Sequence, residues 1–167
     1  MANKQIILVR HGKSDWNSGE SRDHERPLNH RGRRDVPKVG KWLGSLEIKP
    51  GAILCSDAKR TRETLDLILL NSGWDEGEIE IRILSELYLA SSSTIRNCIQ
   101  ELLSAHDSVL VVGHNPGMDF TLLELCPDSS KLAVDKLMTT AAVAILESSD
   151  ESLLDVSLNV FRRPGDL

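Results

Sequence analysis

The sequence predicts an α/β fold: a three-layer α/β/α sandwich on a mostly parallel sheet, with an antiparallel strand near its C-terminal end. Short apolar runs alternate with amphipathic segments, a pattern that places helices on both faces of a parallel sheet. The last two apolar runs are separated only by the polar stretch SSDES, which favours an antiparallel pair. The length of 167 residues is that of one domain, so we expect residues 1–167 to form a single domain.

The first two elements have clear local signals. Residues 5–10, QIILVR, are predicted to form a buried strand that ends in Arg10. A helix is predicted over residues 29–46, because Asn29 can cap its start and apolar residues recur at helical spacing. Pro37 lies inside this segment, so the sequence leaves open a later start or a kink.

The remaining elements follow from the same two periodicities. Strands are predicted over 51–55, 79–84 and 108–112 and near 141–147 and 154–162, and helices over 58–71, 92–105 and about 117–125. Ligands of such folds bind beyond the carboxyl ends of the parallel strands. Polar side chains at those ends are therefore the candidates for function.

The composition excludes several classes of protein. A formal net charge of -5 gives no general case for binding nucleic acid or an anionic membrane. No apolar run approaches the roughly 20 residues that cross a bilayer, and the N-terminus lacks the pattern of a signal peptide. Cys55, Cys98 and Cys126 form no CxxC pair, so we expect reduced thiols in a cytoplasmic protein. We also expect a monomer or weak dimer.

Charged and nucleophilic residues follow the predicted strands. Arg10 and His11 end the first strand, Arg60 lies just after the second, Glu86 follows the third, and His114 follows the fourth. Guanidinium groups bind phosphoryl oxygens in pairs, and a histidine with one unprotonated nitrogen can accept a phosphoryl group. The set therefore predicts a phosphoryl-transfer site in which fixed cations stabilise charge, without a metal or cofactor.

Three other phosphate or metal chemistries fit less well. Gly12, Lys13 and Ser14 look like the end of a Walker A loop, but Ile7 stands where that loop needs its first glycine. The Cys-x5-Arg signature of cysteine phosphatases fails because Thr61 is the sixth residue after Cys55. The five histidines show no HExxH or other close pair, which disfavours zinc.

Three segments in this order resemble the signatures of the histidine phosphatase superfamily, which includes the cofactor-dependent phosphoglycerate mutases. They are RHGKSDWN at 10–17, SDAKRTRET at 56–64 and VVGHNPG at 111–117. Over its whole length the chain is similar to the small SixA-type branch of phosphohistidine phosphatases, and RPLNHRGRRD and ELYLAS resemble segments of that branch. The resemblance implies a phosphoglycerate mutase-like fold and a hydrolase that forms a covalent phosphohistidine intermediate.

The resemblance also implies roles for four site residues. His11 is the nucleophile that becomes phosphorylated. Arg10 and Arg60 hold the phosphoryl oxygens, and His114 contacts the same oxygens and stabilises the transferred charge.

Three further positions carry implied roles. Asn17 and the backbone near Gly12 add hydrogen bonds to phosphate. Glu86 stands where larger members keep a general acid, although a salt bridge at Glu86 is an equal alternative. A phosphoramidate leaving group depends less on such an acid than an ester does.

The length of the chain between Glu86 and His114 bears on the substrate. Only 27 residues separate Glu86 from His114, and a predicted helix and strand use most of them, so we expect an open site without a lid. An open site favours phosphohistidine on a signalling protein, such as a phosphotransfer domain, over a small metabolite. The alternatives are a phosphatase or mutase for a small phosphoester, or a phosphate-recognition module without turnover. Residues 22–34 contain five arginines, either a solvated surface or a patch that steers an anionic protein substrate.

Overall fold

The computed structural model describes residues 3–133 and 136–167 and contains every predicted strand and helix. The strands are β1 (Lys4–Arg10), β2 (Ala52–Ser56), β3 (Glu80–Leu84), β4 (Ser108–Gly113), β5 (Val143–Ser148) and β6 (Val156–Arg162). The helices are α1 (His30–Ser45), α2 (Lys59–Ser72), α3 (Ser92–Leu103) and α4 (Gly117–Leu125).

The six strands form one mixed sheet in the order β3-β2-β4-β1-β5-β6. Neighbouring strands among β1 to β4 pair in parallel, as the intervening helices require. The β5 strand pairs antiparallel with both β1 and β6, so it alone of these six strands runs against the others. The predicted antiparallel strand near the C-terminal end is therefore confirmed.

The two faces of the sheet carry separate hydrophobic cores, which makes the three layers. Side chains alternate along a strand, so Ile6 and Leu8 of β1 pack with the cluster that includes α3 and α4. Ile7 and Val9 pack on the opposite face with the cluster that includes α1 and α2. The continuous apolar run of the first strand thus serves both layers.

The α1 helix begins where the sequence predicts. The Asn29 side chain caps it by accepting a hydrogen bond from the Gly32 amide at 2.9 Å. The helix starts at His30 and continues through Pro37, so the later start that the proline suggested is wrong. A Cβ atom on Gly12 would lie 2.6 Å from the Val36 side chain of α1, so glycine permits the close contact between this helix and the end of β1.

Within residues 3–133 and 136–167, every helix is too short or too polar to cross a lipid bilayer.

Candidate active site

The register of the sheet brings the two motif histidines side by side. Arg10 of β1 pairs with Gly113 of the adjacent β4, so the next residue of each strand leaves the sheet at the same level. These residues are His11 and His114, whose ring centroids lie 5.2 Å apart. Both are buried, with exposed fractions of 7% and 2%.

The His11 ring is held in one orientation by its own backbone neighbour. Its Nδ1 atom lies 2.7 Å from the Gly12 carbonyl oxygen, which can only accept a hydrogen bond. Nδ1 therefore carries the proton, and the lone pair is on Nε2. Burial lowers the pKa of His11 well below its ordinary value, and the Gly12 hydrogen bond only partly opposes it. The ring is thus neutral and nucleophilic at neutral pH.

The His114 ring is oriented from the neighbouring strand β2. Its Nε2 atom lies 2.8 Å from the Ser56 hydroxyl, and its Nδ1 atom is buried without a partner among the described residues. Burial and the nearby Arg60 charge lower the pKa of His114 to about 3. The negative charge of a bound phosphate dianion would raise the pKa of His114. His114 can therefore become protonated, and donate to phosphate, only when an anion is bound.

Arg10 and Arg60 line the same cavity as the two histidines. The Nη1 atom of Arg10 donates to the Met138 carbonyl at 2.9 Å, which orients its guanidinium group. The Nη1 and Nη2 atoms of Arg60 donate to the backbone carbonyl and the carboxylate of Asp23, at 2.8 and 3.0 Å. Arg60 is 3% exposed, so this charge is preorganised at low dielectric.

Asp23 organises the mouth of the cavity from the loop between β1 and α1. It pairs with Arg26 and Arg60, and the Tyr88 hydroxyl donates to it. Partial burial opposes ionisation of Asp23, but the hydrogen bonds from Tyr88 and Arg26 and the Arg60 charge hold its pKa well below the usual range. Asp23 is therefore a carboxylate at neutral pH and has no proton to donate.

The cavity above His11 has a volume of about 420 Å³ and opens to solvent. Its rim includes Trp16, which is 70% exposed and stacks on the Arg26 guanidinium group at 3.6 Å, and Leu89, which is 54% exposed. The chain between Glu86 and His114 forms α3 and β4 and adds no lid. This agrees with the open site that the sequence predicts.

Three predicted site residues do not reach the cavity. The Gly12 amide donates to the Thr64 hydroxyl at 3.0 Å, so Gly12 acts on His11 through its carbonyl rather than on phosphate. Asn17 is exposed and outside the cavity lining. Glu86 is also exposed and outside this lining, and its Oε1 atom lies 3.8 Å from the Cys98 thiol.

We therefore expect Glu86→Gln to change kcat/KM by less than about twofold. The carboxylate faces Cys98 on α3 rather than the reacting groups, and a surface substitution of this kind costs little stability. The measurement is the pH–rate profile of the variant on both an aryl phosphate and a phosphoramidate. A lost basic limb on the ester would restore Glu86 as the general acid.

Sequence reasoning missed the residues that the loops contribute. Arg26 was part of the arginine-rich segment, and Tyr88 part of ELYLAS, but no periodicity points either toward the site. The sequence gives His24 no role beyond that of a surface residue. His24 lies instead against the site, where it bonds Asp57 at 2.8 Å and its ring meets Tyr88 edge-on at 4.9 Å.

The thiol alternative also fails in the structure. Cys55 is fully buried in β2, and burial raises the pKa of its thiol to about 12. A thiolate nucleophile at this position would need the opposite shift.

The depressed histidine pKa values predict destabilisation in acid. An unfolded histidine titrates near 6.5, and folded His114 near 3, so the unfolded chain binds more protons between these values. Stability is therefore lost as the pH falls below 6.5. His114 alone contributes a loss of about 2 kcal/mol between pH 6.5 and 5.

Urea unfolding of the wild type and His114→Gln at several pH values tests this. We expect the variant to lose less stability than the wild type between pH 6.5 and 5. His30→Gln, which removes an exposed histidine, is the control. Parallel pH dependences of all three proteins would contradict the prediction.

Comparisons with known proteins agree with this geometry. Residues 6–88 match the family model described as histidine phosphatase superfamily (branch 1). An uncharacterized protein of Mycobacterium tuberculosis is 33% identical over 146 residues, which cover 83% of this chain and 85% of the relative. The solved structure of a candidate phosphohistidine phosphatase SixA from Agrobacterium tumefaciens is 29% identical, with a TM-score of 0.83, and the alignment covers 97% of this chain and 99% of that one.

A plant relative is longer than this chain. The uncharacterized chloroplastic protein of Arabidopsis thaliana is 33% identical over 135 residues, which cover 77% of this chain. The alignment spans 62% of the length of that relative.

Proposed function

The chain belongs to the histidine phosphatase superfamily, and we propose that it is a phosphatase that removes phosphate from phosphohistidine on a protein, through a phosphorylated His11. Family membership supports phosphatase activity as such. The mechanism rests on the orientation and the surroundings of the His11 ring. Its Nδ1 atom is fixed by Gly12, and it lies beside His114 in an open cavity that Arg10 and Arg60 also line.

In the first step, the Nε2 lone pair of His11 attacks phosphorus and the phosphorus–nitrogen bond of the substrate breaks. A substrate imidazole whose other nitrogen carries a proton leaves as neutral imidazole, so no proton has to be supplied. The guanidinium groups of Arg10 and Arg60 stabilise the negative charge on the equatorial oxygens. His11 keeps its Nδ1 proton throughout, held by the Gly12 carbonyl.

In the second step, water attacks the phosphorus of phospho-His11 and the bond to Nε2 breaks. The two protons of the water leave with the product as dihydrogen phosphate, and His11 returns to its neutral form. His114 is placed to bind the phosphoryl oxygens in both steps, because its ring lies beside that of His11. The cycle requires no metal and no redox partner.

The carboxyl group in the described lining of the cavity cannot act as a general acid, which supports phosphohistidine rather than an ester. An alkoxide leaving group needs a proton from a positioned acid. Among the described residues that line the cavity, Asp23 is the one carboxyl group, and its pKa is held well below the usual range. Transfer from one imidazole to another avoids this requirement.

The open mouth supports a protein substrate. A cavity that encloses a small metabolite gains affinity by burying most of its surface. Here the exposed Trp16 and Leu89 form a rim around the histidines instead. A phosphorylated side chain that projects from another protein can reach His11 and still leave its backbone outside.

The test compares three substrates: a peptide that carries one phosphohistidine, p-nitrophenyl phosphate and 3-phosphoglycerate. We expect kcat/KM for the peptide to exceed the other two by at least about 100-fold. Comparable turnover of 3-phosphoglycerate would overturn the substrate class and leave a small-molecule phosphatase. Phosphate binding without turnover of any of them would indicate a recognition module.

A further inference from the structure

A second cavity, of about 470 Å³, adjoins the catalytic one. Its walls are the exposed face of α1 and the segment from Arg163 to Asp166 near the C-terminal end of the chain. Thr140 lines both cavities, so the two spaces share a wall. Both cavities open to solvent, so an extended ligand seated over His11 would pass Thr140 to enter this second space, which we call the basic groove.

The basic groove carries a local excess of positive charge. Its lining contains four basic side chains, which are Arg31, Arg34, Lys38 and Arg163, and two acidic ones. The acidic Asp35 is already paired with Arg34 at 3.0 Å and with Arg31 at 3.4 Å.

The Arg163 guanidinium group has no carboxylate partner among the described residues. It donates to the carbonyl oxygens of Leu132 and Leu137, at 2.8 and 3.0 Å, and neither acceptor carries a charge. The two adjoining cavities together are lined by nine basic and three acidic residues, in a chain whose net charge is -5. Basic residues thus outnumber acidic ones on this face, although the chain as a whole is acidic.

The arginines of residues 22–34 do not all face the same surface. Arg26 is buried in the catalytic cavity, and Arg33 turns away to pair with Glu63 at 3.5 Å. Arg31 and Arg34 line the basic groove. Of the two interpretations of residues 22–34, a steering patch would therefore use Arg31 and Arg34, with Lys38 and Arg163, and would not use Arg33.

We propose that the basic groove binds an acidic segment of the substrate protein, which is the protein whose phosphorylated side chain reaches His11. This rests on the proposed function. Aspartate and glutamate side chains match the guanidinium and ammonium groups of the lining, and such pairs across a rim raise the association rate and select partners. The shared wall at Thr140 favours one continuous protein ligand over a separate small anion.

The test uses three synthetic peptides that each contain one phosphohistidine, flanked on both sides by glutamates, serines or lysines. For the wild type we expect kcat/KM to be about tenfold higher for the glutamate peptide than for the serine peptide. Raising NaCl from 20 to 300 mM should remove this preference, because salt shortens the Debye length to a few ångströms.

The double variant Arg31→Glu, Lys38→Glu reverses the charge of the groove and leaves the Arg34–Asp35 pair intact. We expect it to lose the preference for the glutamate peptide through a higher KM, with the serine peptide unaffected. The matched control is Lys41→Glu, Lys49→Glu, which makes the same change in net charge. Neither residue lines the two cavities: Lys41 lies near the C-terminal end of α1, and Lys49 precedes β2 and pairs with Glu78 at the surface. An exposed pair of this kind contributes little to stability, so we expect this control to behave like the wild type.

A binding assay separates failure of the groove from failure of the proposed function. Fluorescence anisotropy of an unphosphorylated glutamate-rich peptide should show binding to the wild type and at least about tenfold weaker binding to the double variant. Such peptide binding without any hydrolysis of phosphohistidine would contradict the proposed function and would still support the groove as a binding site. Equal binding by both proteins, or displacement by inorganic phosphate as readily as by the peptide, would overturn the groove.

Discussion

Replacing His11 by asparagine is expected to lower kcat/KM for a phosphohistidine peptide by at least about 10⁴-fold, the scale seen when a covalent nucleophile is removed. The reason is specific to one atom. Hydrogen bonding to Gly12 leaves the Nε2 lone pair as the nucleophile, and an amide side chain offers no comparable lone pair. Binding of inorganic phosphate should persist, since Arg10 and Arg60 remain.

The accompanying measurement is the phosphoenzyme itself. Rapid quenching of the wild type with labelled substrate should trap a phosphoryl group that is stable to alkali and labile to acid, and peptide mapping should locate it at His11. His11→Asn should show no label, and urea unfolding should confirm that the variant is folded. Label at any other residue, or activity equal to the wild type, would contradict the mechanism.

Replacing Arg60 by lysine is expected to lower kcat by about 10² to 10³-fold, the effect of removing a preorganised partner of transition-state charge. Lysine keeps the charge but loses the planar fork that contacts two oxygens at once. It also cannot reproduce both hydrogen bonds to Asp23, so the new ammonium group is less well oriented.

The matched control for this variant is Arg62→Lys. Arg62 lies on the same helix two residues later, is exposed, and is outside the cavity lining. We expect its kcat to equal that of the wild type. A kcat of Arg60→Lys equal to that of Arg62→Lys would contradict a role of Arg60 in stabilising the transferred phosphoryl group.

The position of the acidic side chain shows where sequence reasoning reached its limit. Glu86 follows β3, but β3 is the edge strand of the sheet, and the residue turns outward toward Cys98. Asp23, which follows no strand, contacts Arg60 instead. A residue that directly follows a central strand can be assigned to the site from the sequence. The same position after an edge strand is a much weaker indication, because the side chain can point away from the crevice.

The sequence by itself determined the elements of the sheet and the place of His11 and His114 after two of its strands. Local hydrophobic periodicity encodes strands and helices, and parallel pairing brings the ends of β1 and β4 together. It also determined that Arg60 lies in the first turn of α2, next to the end of β2.

Only the tertiary structure decided which loop residues complete the site and how the arginines are distributed between the two cavities. Asp23 meets Arg60 across 37 positions and Tyr88 across 65 positions of the chain. No repeating pattern encodes such contacts, because a loop adopts its conformation only against the surfaces that the packed helices and strands present to it. For the same reason, Arg26 and Arg33, from one short segment, end on different surfaces.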